Sequence, residues 1–399
     1  MFFHYFCNME KLWNGNYTKV WMANFMLFFS FMLLTPLFPL YLSETFGADK
    51  QTIGIVLSGY TLTALLIRPF SGFIVDSFPR KMVLLICYSI FALFFAGYLV
   101  AGSLVLFAVV RTLHGAPFGA TTVANSTVAI DVLAPSRRTE GITYYGLANN
   151  IATAIGPTVA IYILKFTGSF TLLFTLSLIL ASVGFIINTT VKLPEREVQK
   201  GRPAISFDRF FLLEAWSESI LMICFGASWG VLSTYVAIYA KHDLNIVGGT
   251  GLFFFLLALG LILSRLAGTR ILRKGLITLN AGIGMVVSLI GYFLFVSVQA
   301  EWAYYTSALI IGLGNGRMFP SVQNMFINLA PNNRRGTANS TLLVSWDVGV
   351  GLGVLIGGLL AEALGYHAAF WGAWSTTLAG VVWFLAYVRR SYSHSELHN

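Results

Sequence analysis

Leu133-Ala134-Pro135-Ser136-Arg137-Arg138, followed eighteen residues after Arg138 by Gly156, recurs as Leu329-Ala330-Pro331-Asn332-Asn333-Arg334-Arg335, followed eighteen residues after Arg335 by Gly353. Each copy opens an apolar stretch of membrane-spanning length, so the chain reads as two copies of one helical bundle. Two such bundles that rock against each other around a site at their interface are a common construction for moving a solute across a membrane. The repeat therefore predicts alternating access.

Of the 399 residues, 57% are hydrophobic and only 10% charged, with a mean hydropathy of +0.75. That balance excludes a soluble globular domain. Apolar runs of about 20 residues, each enough to cross a hydrocarbon core as a helix, fall near 20–42, 51–75, 82–102, 104–130, 140–164, 169–191, 211–240, 248–271, 276–298, 302–328, 337–363 and 368–388. They are numbered spans 1 to 12. With the N-terminus inside, eighteen Lys and Arg fall in cytoplasmic loops, among them Arg80, Arg137, Arg334 and Arg389. Only Lys50, Lys165 and Lys241 fall outside. The bias places both termini in the cytoplasm.

The net charge of +9 is dispersed through short juxtamembrane loops, which fits contact with anionic membrane lipid and not with nucleic acid. Cys7, Cys87 and Cys224 have neither metal-ligand nor paired spacing, so no metal site and no disulfide framework is expected. The first apolar run has no small-residue cleavage site and reads as a retained helix. Met9-Glu10-Lys11 offers an internal start. The longest polar interval, 192–210, carries Pro194, Gly201 and Pro203. It divides the chain into an N-terminal six-helix bundle (1–191), a cytoplasmic connector (192–210) and a C-terminal six-helix bundle with a short cytoplasmic tail (211–399).

Between spans 2 and 3 stands Gly72-Phe73-Ile74-Val75-Asp76-Ser77-Phe78-Pro79-Arg80-Lys81, which resembles the signature loop of the major facilitator superfamily. Arg111-Thr112-Leu113-His114-Gly115 resembles that family's second motif, and Gly156-Pro157 the core of its antiporter motif. Ala152 and Ala160 stand where the fuller antiporter pattern has glycine. The resemblance covers nearly the whole chain. It implies an all-α integral membrane fold of twelve helices in two pseudo-symmetric six-helix bundles. Arg137-Arg138-Thr139-Glu140-Gly141-Ile142-Thr143-Tyr144-Tyr145-Gly146 and Asp347-Val348-Gly349-Val350-Gly351-Leu352-Gly353 resemble the drug:proton antiporter branch that contains opine-metallophore and sugar exporters. That likeness implies a bacterial inner membrane. It also implies a conformational latch built from Gly72, Asp76, Arg80, Lys81 and Asp131, with Asp76 capping span 11 and Arg80 pairing with an acid on span 4.

Ionisable residues inside spans are costly in lipid and should face protein or a wet cavity. Asp347, deep in span 11, is the first candidate proton carrier, and a structural carboxylate paired with an arginine is the alternative. Glu218 in span 7 is the second candidate. The family's cavity is lined by spans 1, 4, 7 and 10, so Glu218 and Arg317 can face each other as an exchangeable or a static pair. Arg111 and His114 on span 4 either take part in proton exchange or are structural. Phe25, Phe28, Trp229, Tyr235 and Trp346 are candidate substrate-cavity residues, since aromatic faces take apolar bodies or cations. Gly115, Gly119, Gly312, Gly316, Gly349 and Gly353 recur at four-residue spacing and allow close helix approach, while Gly156 and Pro157 can bend span 5.

No P-loop, metal cluster or nucleophile–base motif is present, so an enzyme is not expected. The first reading is a proton-coupled exporter of a small organic solute, working as a monomer with a proton gradient and no cofactor. Symport, facilitated uptake and a solute sensor on the same fold remain alternatives.

Overall fold

In hydrocarbon every backbone N–H and C=O needs an internal partner, and only a helix supplies one within a single segment. The computed structural model describes residues 11–48, 50–193, 210–246 and 250–396, and it is helical almost throughout. The Met9 start and residues 194–209 of the connector lie outside the described residues. Span 1 is Gly15–Leu34, interrupted at Thr35-Pro36-Leu37 and resumed as Phe38–Phe46. Spans 2 to 6 are Lys50–Ser77, Arg80–Val100, Leu104–Asp131, Arg138–Thr167 and Phe170–Thr189. Spans 7 to 11 are Trp216–His242, Thr250–Arg273, Ile277–Ser297, Glu301–Leu329 and Arg335–Leu364. Span 12, Tyr366–Trp383, runs on through a π turn at Phe384–Val388 into Arg389–Glu396.

Eleven of these helices are long and apolar enough to cross a membrane. The exception is span 10, whose 29 residues suffice in length. Its apolarity is diluted by Asn315, Arg317, Gln323, Asn324 and Asn328. Asn315 and Asn324 are buried, as polar side chains on a helix enclosed by its neighbours should be.

The repeated sequence has a repeated shape. Pro135–Arg137 and Asn332–Arg334 each form one 3-10 turn, and each leads into a helix of 30 residues. The chain divides into two compact units, Met1–Phe211 with Asn333–Ser340, and Leu212–Asn332 with Thr341–Asn399. The first turns of span 11 therefore group with unit 1 and the rest of that helix with unit 2.

Packing inside the units follows one scheme. In unit 1, span 4 packs on spans 2 and 3, span 6 on spans 1 and 3, and span 5 on span 1. In unit 2, span 10 packs on spans 8 and 9, and span 12 on spans 7 and 9. Glycines set the closest approaches: a methyl on Gly115 would lie 2.0 Å from Tyr60 O of span 2, and one on Gly312 2.1 Å from Leu257 O of span 8. Gly119 and Gly316 continue these two seams, and Gly349 and Gly353 line the seam of span 11 on span 7. At the position that corresponds to Gly353, Gly156 meets Met32 of span 1. Pro157 lies inside a span 5 that continues to Thr167.

Gly351 offers an internal control, because a methyl there meets nothing within 4 Å, whereas one on Gly353 would sit 2.1 Å from Ala227 O. Gly353→Ala should lower stability by about 1–3 kcal/mol through overpacking, and Gly351→Ala should hold or raise it because alanine is the better helix former. Thermal midpoints of the detergent-purified variants check this, and equal effects of the two substitutions would refute the close seam.

Candidate functional site

The densest group of charges lies where spans 2, 3 and 4 end or begin, within unit 1. Span 2 ends just after Asp76, span 3 begins at Arg80 and span 4 ends at Asp131. Arg80 donates from Nη1 to Asp131 Oδ1 at 2.6 Å and from Nη2 to Asp76 Oδ1 at 3.0 Å. Arg335, the first residue of span 11, donates to Asp131 at 3.2 Å. Asp76 also accepts from Gly336 N at 3.0 Å, Thr337 N at 2.8 Å and Thr337 Oγ1 at 3.0 Å. A carboxylate on the unsatisfied N–H groups of a helix start is a favourable cap, reinforced by the helix dipole. Gly72 permits it: a methyl there would lie 2.7 Å from Ser340 Cβ and 2.9 Å from Gly336 O.

Lys81 parts from this group. Its Nζ donates to Thr189 O and Val191 O, both at 2.8 Å, and so closes the C-terminal end of span 6, where Lys19 also donates to Thr190 O. A cation on the last carbonyls is the mirror of the Asp76 cap. Its assignment to the latch is corrected to the end of span 6.

Glu218 and Arg317 do not meet. Span 7 begins at Trp216, after a 3-10 turn at Leu213–Ala215, so Glu218 stands in its first turn. It is buried and accepts from Ser217 Oγ at 2.8 Å. The Arg317 stem is wedged between spans 8 and 9, its Cγ beside Gly268 and its Cβ beside Gly284. No ion pair joins the two among the described residues. Glu218 is instead held by Ser217 in the first turn of span 7, while the Arg317 stem packs against spans 8 and 9.

On span 4, the buried Arg111 guanidinium lies 4.0 Å from the Tyr60 ring centre, 4.6 Å from Phe38 and 5.5 Å from Phe31. Cation–π attraction of this kind grows when the cation is desolvated. His114 is fully buried, shares a 2.9 Å hydrogen bond with Tyr98 OH and packs against Phe91, Phe94 and Phe95. Arg111 and His114 are thus built into an aromatic core.

The candidate cavity residues form separate groups in the two units. Phe25 stacks between Trp21 and Phe29, and Phe28 sits edge-on to Phe118, all in unit 1. In unit 2, Trp346 contacts Trp229 and Phe319, and Tyr235 OH donates to Val354 O at 2.7 Å. Asp347, beside Trp346, is half-buried.

One polar cluster escaped the sequence reading. Tyr145 OH donates to Asn24 Oδ1 at 2.7 Å, Asn125 Nδ2 to Tyr145 OH at 3.0 Å, and Asn24 Nδ2 to Asn149 Oδ1. Four uncharged side chains from spans 1, 4 and 5 make no spacing signature, so the available signal was their placement inside apolar runs.

Removing Asp131 leaves two largely buried guanidinium groups short of a counter-charge, so Asp131→Asn should cost about 3–5 kcal/mol. Lys81→Met, which removes a helix-end contact only, should cost about 1 kcal/mol or less. Thermal denaturation of the two variants in detergent measures the difference, and equal losses would place Lys81 in the same network as Asp131.

Known proteins share this fold. The Major Facilitator Superfamily model matches residues 20–349 and 281–398. The staphylopine export protein of Staphylococcus aureus is 24% identical over 88% of this chain and 90% of its own length. The quinolone resistance protein NorA of the same organism is 20% identical over 90% and 92%. The human organic anion transporter MFSD10 superposes with a TM-score of 0.79 at 16% identity, covering 92% of this chain and 98% of its own. With duplicated six-helix packing and a match running nearly end to end, the chain belongs to the major facilitator superfamily and is a multi-pass membrane transport protein, not an enzyme.

Proposed function

We propose that the protein exports a small organic solute in exchange for protons across a bacterial inner membrane, with both termini cytoplasmic. The export direction is supported by relatives named for staphylopine export and quinolone resistance. Coupling rests on the helix Arg335–Leu364. Its first turn is held by Asp76, and Asp347 lies roughly 18 Å further along the same rod at 1.5 Å per residue. A carboxyl group at that depth can hold either a proton or a solute contact. Whatever occupies Asp347 acts on the helix whose start the Asp76 cap holds, and a ligand that favours one position of that helix shifts the population. Glu218, buried at the start of span 7, is the second coupling candidate. The cycle needs a proton gradient and no cofactor, and one chain in contact with membrane lipid supplies both units.

Inside-out vesicles loaded with this protein test the reading, using norfloxacin, an opine-type metallophore and arabinose as cargoes. An acid lumen should drive uptake of at least one cargo. Asp347→Asn should lose gradient-driven uptake at least tenfold while keeping cargo exchange at equal pH. Coupling retained in Asp347→Asn but lost in Glu218→Gln would move the proton to span 7. Uptake indifferent to lumen pH in the unmodified protein would sink proton antiport.

A further inference from the structure

The buried amides of unit 1 make a second kind of site. Asn24 and Asn125 are fully buried, and Tyr145 nearly so. They bond to one another and, through Asn24 Nδ2, to Asn149 Oδ1. The network uses the oxygen of Asn149 and fixes the plane of its amide. The nitrogen of that amide donates to no described residue. Next to it, Asn150 Nδ2 is buried without a hydrogen-bond partner, and so is Asn125 Oδ1.

Leaving a buried polar atom unpaired costs on the order of 1–3 kcal/mol, and such atoms in a folded protein call for an explanation such as a water or a ligand. Inside a membrane protein the cost is sustained where the side chain faces a protein interior or a wet cavity. At about 100° per residue, Asn149 lies well away from the exposed apolar residues Ile155, Tyr162 and Phe166 on span 5, while Asn150 shares its side of the helix with the exposed Ile161, three turns further on. Thr153, also exposed, shares the side of Asn149. The face of Ile155, Tyr162 and Phe166 is the one suited to lipid, and the Asn149 carboxamide is turned away from it.

We infer that Asn149 and Asn150 form a carboxamide subsite that donates hydrogen bonds to a carbonyl or carboxylate oxygen of the transported solute, with Asn24, Asn125 and Tyr145 as positioning residues behind Asn149. The inference deepens the transporter reading and rests on it. Uncharged donors suit cargo that must also leave, because each bond to an oxygen acceptor adds modest affinity without trapping a charge. Selectivity arises because an acceptor-free solute gains no hydrogen bond from the amides. An acceptor-bearing solute satisfies them.

Two probes separate the cases. Norfloxacin carries a ketone beside a carboxylate, and ethidium is a planar cation with no carbonyl or carboxylate oxygen. Binding of each to purified protein is measured by calorimetry for the unmodified chain, Asn149→Leu and Asn150→Leu. Each substitution should weaken norfloxacin about tenfold, the worth of one hydrogen bond, and leave ethidium unchanged. Asn150 makes no hydrogen bond of its own, so its replacement tests the subsite without undoing the network even if Asn149→Leu proves unstable. Equal weakening of both probes, or of neither, would overturn the subsite and leave ordered water as the occupant of these amides. No norfloxacin binding by the unmodified protein, with pH-driven ethidium flux intact, would also overturn it while sparing the exporter reading. Norfloxacin binding that depends on both amides, without any gradient-driven flux, would support the subsite and count against the exporter.

Discussion

Hydrocarbon offers a polypeptide no hydrogen-bond partner, and this one constraint organises the molecule. Within each helix the backbone satisfies itself, so the difficulty moves to the helix ends, where several N–H or C=O groups are left over. The charged residues at the short turns meet that need. Asp76 accepts from the first N–H groups of span 11, while Lys19 and Lys81 donate to the last carbonyls of span 6. The Asp76 anion sits at an N-terminus and the Lys19 and Lys81 cations at a C-terminus, as the helix dipole favours. The loop charges that suggest topology in the sequence are therefore structural parts of the helix ends.

Between helices the membrane removes the usual hydrophobic driving force, since a lipid tail is as apolar as leucine. What remains is close contact, and the glycine seams supply it. Span 4 on span 2 and span 10 on span 8 approach until a glycine on one helix nearly touches a carbonyl on the other. Such seams are directional, because the gain is lost if either helix rotates by a residue. They fix which face of each helix points inward, and with it the placement of Arg111, Asp347 and the amide cluster.

The parts legible in the sequence are those set by long patterns. Hydropathy gave the spans, and the resemblance of the Gly72 to Lys81 loop to a family signature implied the Asp76 and Arg80 contacts. The parts that went astray depend on where one helix starts or which way one side chain leans. A single 3-10 turn at Leu213–Ala215 leaves Glu218 in the first turn of span 7. The Arg317 stem packs against glycines on two neighbouring helices. Neither effect has a periodicity, so neither could be read from one sequence. The amide cluster was hidden for a related reason: asparagine carries no charge to mark it as costly until its partners are known.

The duplication extends to the scaffold but stops at the chemistry. Arg68 and Arg265 occupy corresponding places on spans 2 and 8, and both are buried. Eight residues beyond Arg68 stands Asp76, the acceptor that caps span 11; eight residues beyond Arg265 stands Arg273. A guanidinium has no acceptor to offer to helix N–H groups, so the same cap cannot be built at the second site. The amide network likewise belongs to spans 1, 4 and 5 alone, because the position corresponding to Asn149 is Trp346 and the one corresponding to Asn150 is Asp347, by the offset that relates Arg138 to Arg335. Neutral donors on span 5 thus correspond to an aromatic ring and a carboxylate on span 11. The two halves share their packing and differ in the side chains they present at these positions.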